Sequence, residues 1–431
     1  MIERPGWFGP EGRSLFGWFC GPDDGNATGA VLLCPPIGEE EHNAHETFRR
    51  LATALAAEGI ASLRFDYHGT GDSLGRWSDP GRGEAWITSV GHAYEALRRT
   101  GVDRPAVVGM RIGATLAATA TQRGLIEPSA VVLWDPCSGK SMLREGQTRA
   151  PGRRPPPPGA VDTPGYLYTA STADDLRALD PAALEPTPLA PHVLVLTRDD
   201  RPVPRGLRAA VHGPGVDWAV ARGQSDLLDL PMTDNVVPAA SLSEIVAWLR
   251  AHTSTARAPV ALGASEELTL PADADDAALT ERVVSLGDIG LFGITTEPAG
   301  PSRGPLLVLI NVANDRHVGP GRRWVDCARD WAGMGFRVLR MDQSGTGDSP
   351  SHRGQEFGTL YAREWLEDLP SALRSGPCAD TDVALISLCS GAYSSMESAF
   401  QVPVAEVYAI NVILHAKVMS TASELYDERR L

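Results

Sequence analysis

Two stretches far apart in the chain are nearly the same: SLRFDYHGTGDSLG at 62–75 and VLRMDQSGTGDSPS at 338–351. A repeat of this length constrains the fold strongly, because it requires one structural unit to be built twice. The surroundings repeat as well. An apolar run precedes each copy, AVLLCPP (30–36) and LLVLINVA (306–313), and each run leads into a helix-like stretch, FRRLATALAAEG and RWVDCARDWAGMG. Downstream of each comes another helix, then a short strand with a glycine-containing turn, RPAVVGMRIGATLAA (104–118) and TDVALISLCSGAYSS (381–395). Arg111 and Cys389 hold the same place in the two turns. Short β-branched runs alternating with helical stretches predict an α/β fold, two units of mostly parallel sheet with helices on both faces.

The first copy continues beyond its turn. SAVVLWDP (129–136), HVLVLTRDD (192–200) and DWAVARG (217–223) read as further strands, and SLSEIVAWLRAHT (241–253) as a closing amphipathic helix. RRPPPPG (153–159) reads as part of a mobile loop or lid. The second copy stops earlier. After its turn and helix only AEVYAINVIL (405–414) reads as a strand, so this unit is truncated after its sixth strand. The expected organisation is a first unit over 1–255, a linker or the first strands of the second unit over 256–280, and the truncated unit over 281–431. Such a half-finished sheet exposes an edge, and a second protein subunit that completes it is one expectation.

At 431 residues the chain is long enough for two or three cores. Its net charge of −15 argues against nucleic acid and anionic membranes as partners held by bulk electrostatics. No segment approaches the roughly 18 unbroken apolar residues of a membrane span. The opening MIERPGWFGPEG has no apolar core of a secretion signal, so a cytoplasmic protein is expected. The six cysteines are scattered, without a Cys-x-x-Cys pair or a Cys/His cluster, and no metal is expected. Neither a phosphate loop nor a dinucleotide fingerprint occurs, and no cofactor is expected.

The strand, glycine-containing turn and helix of both copies resemble the G-x-S-x-G elbow of the α/β-hydrolase superfamily. Copy one resembles the serine-aminopeptidase-like and exosortase-associated hydrolases through PPIGEEEHNAH (35–45), RFDYHGTGDS (64–73) and GMRIGA (109–114); copy two is similar to a related hydrolase-like group through RHVGPGRRWVDCAR (316–329), GTGDS and LCSGA. The resemblance implies a nucleophile at the elbow, a histidine after the last strand and an orienting acid. Copy one departs from that pattern. Its elbow residue is Arg111, which is no nucleophile, and GQSDLLDLPMTDNVVP (223–238) holds no histidine. Asp199 or Asp200 remains as an acid without partners. Copy one is therefore expected to be non-hydrolytic, with Arg111 either clamping an anionic ligand or bridging to an acid such as Asp66. His45 and His68, with His42, are placed along the same edge as ligand-site candidates.

Copy two carries a thiol where the hydroxyl would be. Cys389 at a helix N-terminus is favoured as thiolate, and the N–H of Ser390 is half of an expected oxyanion hole, the other half coming from the loop after LLVLINVA. His317 in that loop and Asp342 at the end of the GTGDS strand are the candidate base and orienting acid, with His415 in reserve. Asp342 and Asp66 recur in both copies, which points equally to bonding of turn amides. Three functions stay open. The first is hydrolysis or acyl transfer through Cys389 on an ester, thioester or peptide, in bacterial tailoring metabolism. The second is cofactor-independent epimerisation of a peptide, as in the maturation of ribosomal peptides such as linaridins, with the thiol moving protons. The third is a non-catalytic scaffold within a heterodimer.

Overall fold

The computed structural model describes residues 1–150, 155–254, 256–270 and 278–412. His415 lies outside the described residues, as do the first residues of the proline-rich stretch. The chain forms two compact units, one of residues 1–230 and 235–265, the other of 231–234 and 266–431.

The first unit is built on strands β1 (Ile2–Phe8), β2 (Leu15–Gly21), β3 (Gly29–Cys34), β4 (Ile60–Phe65), β5 (Ala106–Met110), β6 (Ala130–Trp134), β7 (His192–Arg198) and β8 (Val216–Ala221). They lie in the order β1-β2-β4-β3-β5-β6-β7-β8. β1, β2 and β4 pair antiparallel, and every pairing from β4 to β8 is parallel. The inner strands β3 to β6 are almost wholly buried, which is why they read as unbroken apolar runs and not as alternating ones. Helices α1 (Glu39–Ala57), α2 (Arg82–Arg98), α3 (Ile112–Gln122), α4 (Gly139–Arg149) and α5 (Ala239–Ala251) are among those that flank the sheet. α1 opens on Glu39, Glu40 and Glu41, negative charge where the helix dipole is positive.

Of residues 256–280, expected as a linker or the first strands of the second unit, 256–265 belong to this unit and Glu267–Leu270 form a strand of the second. Ala258–Pro259 pair with Asn26–Ala27, and Trp7 and Ser265 exchange two backbone hydrogen bonds of 2.8 Å. The proline-rich insertion runs into a small ribbon, Val161–Thr163 against Tyr166–Tyr168, that sequence periodicity did not predict because each arm has three residues. Trp77 anchors it, with its ring 4.7 Å from Tyr166 and 5.0 Å from Tyr168.

The second unit comprises β9 (Glu267–Leu270), β10 (Leu279–Leu286), β11 (Leu291–Pro298), β12 (Leu306–Ile310), β13 (Val338–Met341), β14 (Val383–Leu388) and β15 (Glu406–Ile410), in the order β9-β10-β11-β13-β12-β14-β15. From β10 onward this order matches β1-β2-β4-β3-β5-β6, with the same parallel and antiparallel senses. Helices α6 (Arg323–Gly333), α7 (Trp365–Leu373) and α8 (Cys389–Ala399) pack on it. β15 is the last described strand of this sheet and leaves Tyr408 and Ile410 about half exposed, with Phe400 nearby almost fully so. No described helix is long and apolar enough to cross a membrane.

Both GTGDS loops fold around their recurring aspartate. The amide of Asp72 donates to Asp66 at 3.0 Å, and that of Asp348 to Asp342 at 2.9 Å. Ser73 and Ser349 donate to the backbone carbonyls of the same aspartates at 2.6 and 2.7 Å, and accept from Phe16 and Phe292 on the neighbouring strands. Gly347 has φ of +56°, and a Cβ there would run into the Asp342 carboxylate, so the loop needs glycine on both counts.

Candidate functional site

In each unit the chain leaves a buried strand and turns at once into a helix. The turning residue is Arg111 in the first unit and Cys389 in the second, and both have left-handed φ, +55° and +50°. Such backbone costs a non-glycine residue about 1–3 kcal/mol and lifts its side chain above the sheet edge. Small neighbours make the turn possible. Gly391 sits against the Asn311 carbonyl with no room for a Cβ, and Gly113 sits likewise against Pro35. Strand order and elbow geometry together identify the architecture. The fold is α/β-hydrolase-like.

No protein-family model and no curated protein matches the sequence. Solved structures with a similar backbone include a putative hydrolase from Agrobacterium vitis S4 (17% identity, 58% of this chain and 98% of that one, TM-score 0.39). A thermophilic esterase from Thermogutta terrifontis is similar at 17% identity over 59% of this chain and 100% of its own, TM-score 0.41. Est1E from Butyrivibrio proteoclasticus, with ferulic acid bound, is similar at 16% identity over 56% and 98%, TM-score 0.42. These likenesses concern the course of the backbone and assign no residue a role.

In the first unit the elbow is filled by charge. Arg111 is buried and lies 3.0 Å from Glu40, 2.7 Å from Glu145 and 3.3 Å from Asp135. Its donors are taken up by the protein's own carboxylates. The bridging role expected of it is met with these three acids in place of Asp66, and little of the guanidinium is left to clamp a ligand. Burial opposes the charge on Arg111, and Cys137, Glu40, Asp135 and Glu145 more than restore it, so its pKa lies well above the ordinary guanidinium value. Burial pushes Asp135 up to about 6 despite Arg111 and Arg198. On Glu145 burial is outweighed by Arg111, Ser141 and Arg201, and its pKa falls. The network extends through Arg201, 3.1 Å from both Glu145 and Asp229, and Arg198, which pairs with Asp229 and, at 2.6 Å, with Asp200.

His45 lies on α1 with Nδ1 3.8 Å from Glu41. His68 lies in the loop after β4, its ring packed where Gly75 has no side chain and 3.2 Å from Arg82. His42 bonds the Tyr166 hydroxyl of the ribbon at 2.5 Å. The sequence did not single out Glu40, Asp135 or Glu145. For Glu40 the acidic run GEEE at the start of α1 was the available signal, since that end of the helix faces the elbow.

In the second unit Cys389 is half-buried, the first residue of α8. Ser390 is buried behind it, and its hydroxyl accepts the N–H of Ala313 at 2.8 Å. This bond pins the loop after β12 onto the elbow. It also occupies the Ala313 amide, so that this N–H is not available as the second oxyanion donor expected from the loop.

Asp342 and His317 do come together. Nδ1 of His317 lies 2.9 Å from one Asp342 oxygen, and the His317 amide donates to the other at 2.6 Å. Asn311 adds a bond of 2.9 Å, and both residues are wholly buried. The imidazole packs edge-on against Phe292 of β11, centroids 4.8 Å apart. Counting from the elbow strand the order is β14, β12, β13, β11. Asp342 follows β13, which lies two strands, about 10 Å, from the elbow strand β14. No hydrogen bond joins Cys389 to His317 among the described residues. Asp348 brings a third ligand-type atom within 4.8 Å of His317 and Asp342. However, N–H donors already occupy both Asp342 oxygens, where a cation would need free lone pairs.

Proposed function

We propose that this chain is a thiol-dependent acyl-transfer enzyme on an α/β-hydrolase-like scaffold, with Cys389 as the acyl acceptor and the first unit serving no catalytic step. The observation that supports this reading is the half-buried thiol at the left-handed first residue of α8, the nucleophile position of the strand–turn–helix elbow. The Cys389 sulfur attacks the carbonyl carbon of an ester, thioester or peptide. The S–C bond forms, the bond to the leaving group breaks, and the leaving group takes a proton from solvent. The Ser390 N–H is positioned for the oxyanion.

The pairing of His317 with Asp342 supports transfer over hydrolysis in this reading. Deacylation by water needs a base beside the thioester. His317 is paired with Asp342 and packed on Phe292, and among the described residues no hydrogen bond joins it to Cys389. The acyl group therefore stays on sulfur until a better nucleophile than water arrives, and transfer is favoured over hydrolysis.

Intact-mass spectrometry after incubation with acyl thioesters tests this. An adduct on Cys389 that decays slowly in water and rapidly with an added amine or thiol is the expected result. Solvent deuterium entering a peptide without cleavage would instead select proton exchange by the same thiol. Full biological activity in Cys389→Ala would leave only a scaffold.

A further inference from the structure

α8 carries Tyr393 four positions after Cys389, the spacing that places side chains on one side of a helix about 6 Å apart along its axis. The same position in the first unit is Thr115, whose hydroxyl donates to the Cys137 carbonyl at 2.7 Å. Among the described residues Tyr393 makes no such internal bond. It is half-buried, and its ring meets that of Tyr361 edge-on, centroids 5.7 Å apart at 70°. Tyr361 is buried with φ of +55°, a conformation that a bulky residue adopts only where its surroundings impose it.

What imposes it is an irregular strap, residues 350–364, between the GTGDS loop and α7. In the first unit the corresponding interval, from Ser73 to the start of α2, is far shorter, and α2 is 17 residues long where α7 has nine. The strap is fastened at several points. Nε2 of His352 lies 2.7 Å from the buried carboxylate of Asp368, and Gln355 donates to the Ser344 carbonyl at 3.0 Å. The Gly358 amide donates to Gly345 at 2.8 Å, and the Trp365 indole to Ser344 at 2.9 Å. The second unit thus spends a strained residue and a long anchored loop to hold one tyrosine ring against another, one helical turn from the thiol.

We propose that Tyr393, held in place by the buried Tyr361 behind it, forms an aryl-binding wall beside Cys389, so that the preferred acyl donor carries an aromatic ring close to its carbonyl. This deepens the thiol reading above and rests on it. An edge-on or offset ring contact favours an aryl group over a methyl by up to about tenfold, beyond simple area burial.

The test uses the full chain and two alkylating agents, iodoacetamide and N-benzyl iodoacetamide, with Cys389 modification followed by intact mass and peptide mapping. Phenylacetyl and acetyl thioesters are run in parallel. The unsubstituted protein is expected to prefer the benzyl reagent, and Tyr361→Ala and Tyr393→Ala each to lower the benzyl-to-plain rate ratio by roughly tenfold. The ratio cancels any change in the thiol's own reactivity. Tyr393→Leu, which keeps apolar bulk and helix propensity, is expected to lower the ratio too, and it serves where an alanine variant does not fold. No benzyl preference in the parent, or a ratio untouched by all three substitutions, overturns the wall. Alkylation needs no acyl transfer. A benzyl preference without any acyl adduct would therefore refute the acyl-transfer reading and leave the wall standing.

Discussion

The substitution Arg111→Ser recreates the G-x-S-x-G pattern in the first unit, between Gly109 and Gly113, and should yield a damaged protein instead of a second hydrolase. Arg111 compensates three carboxylates at 3.0, 2.7 and 3.3 Å in a site where it is itself 3% exposed. Removing one member of a buried ion cluster leaves the others charged and desolvated, a loss of about 3–5 kcal/mol. At about 1.36 kcal/mol per decade that is roughly two to four orders of magnitude in local opening. Hydrogen exchange of peptides covering 104–122 should show this loss at pH 7.5. The stranded acids favour their protonated forms, so their folded pKa values rise above the unfolded ones. Stability of the variant is then retained at low pH and lost as pH rises through those values, and exchange should slow again towards pH 5. Ester hydrolysis should not appear, since the 223–238 segment offers no histidine. Protection within about 1 kcal/mol of the parent at pH 7.5, or a gain of esterase activity through the introduced hydroxyl, would falsify the view that the elbow is a filled ionic site.

Three further outcomes follow from the same geometry. Asp135 is held up to about 6 by burial, so its carboxylate weakens the fold by about 3 kcal/mol once ionised, a penalty absent below its unfolded value and complete above 6. Asp135→Asn, which also tolerates the left-handed φ of +47°, should flatten the unfolding free energy of the first unit between pH 4 and 6; an unchanged slope would count against the assignment. Among the cysteines, burial raises Cys20 and Cys378 to about 12 and pushes Cys34, Cys137 and Cys327 up as well, so limiting iodoacetamide should modify Cys389 first, and equal labelling of all six would contradict its placement. Gly391→Ala sets a methyl against the Asn311 carbonyl and should slow Cys389 labelling and destabilise the second unit by about 1–3 kcal/mol, whereas the same change at the open Gly333 should cost little.

The sequence made the architecture legible because both units use the same local devices. Asp66 and Asp342 could be read as staples of their loops from the repeat alone, and their bonds to the Asp72 and Asp348 amides match that reading. The two elbows were visible through their glycines. The partners of Arg111 were not, because Glu40, Asp135 and Glu145 come from three separate elements and meet only when β3, β5 and β6 lie side by side. The pairing of His317 with Asp342 could be read from the sequence, but the packing of its ring on Phe292 of β11 has no local signature. Tyr361 and its strap escaped notice for the opposite reason. An irregular segment has no period to detect, and its order comes from single bonds to Ser344, Gly345 and Asp368.

The flank of β15, which no described strand covers, has a practical meaning for anyone who handles this protein. In the first unit the equivalent strand β6 is bordered by β7 and then β8; in the second, β15 borders only β14 among the described residues. Peptide groups along such a margin accept any extended chain that arrives, and Tyr408, Ile410 and Phe400 offer it an oily landing. Solutions of the protein should therefore thicken and cloud as they are concentrated.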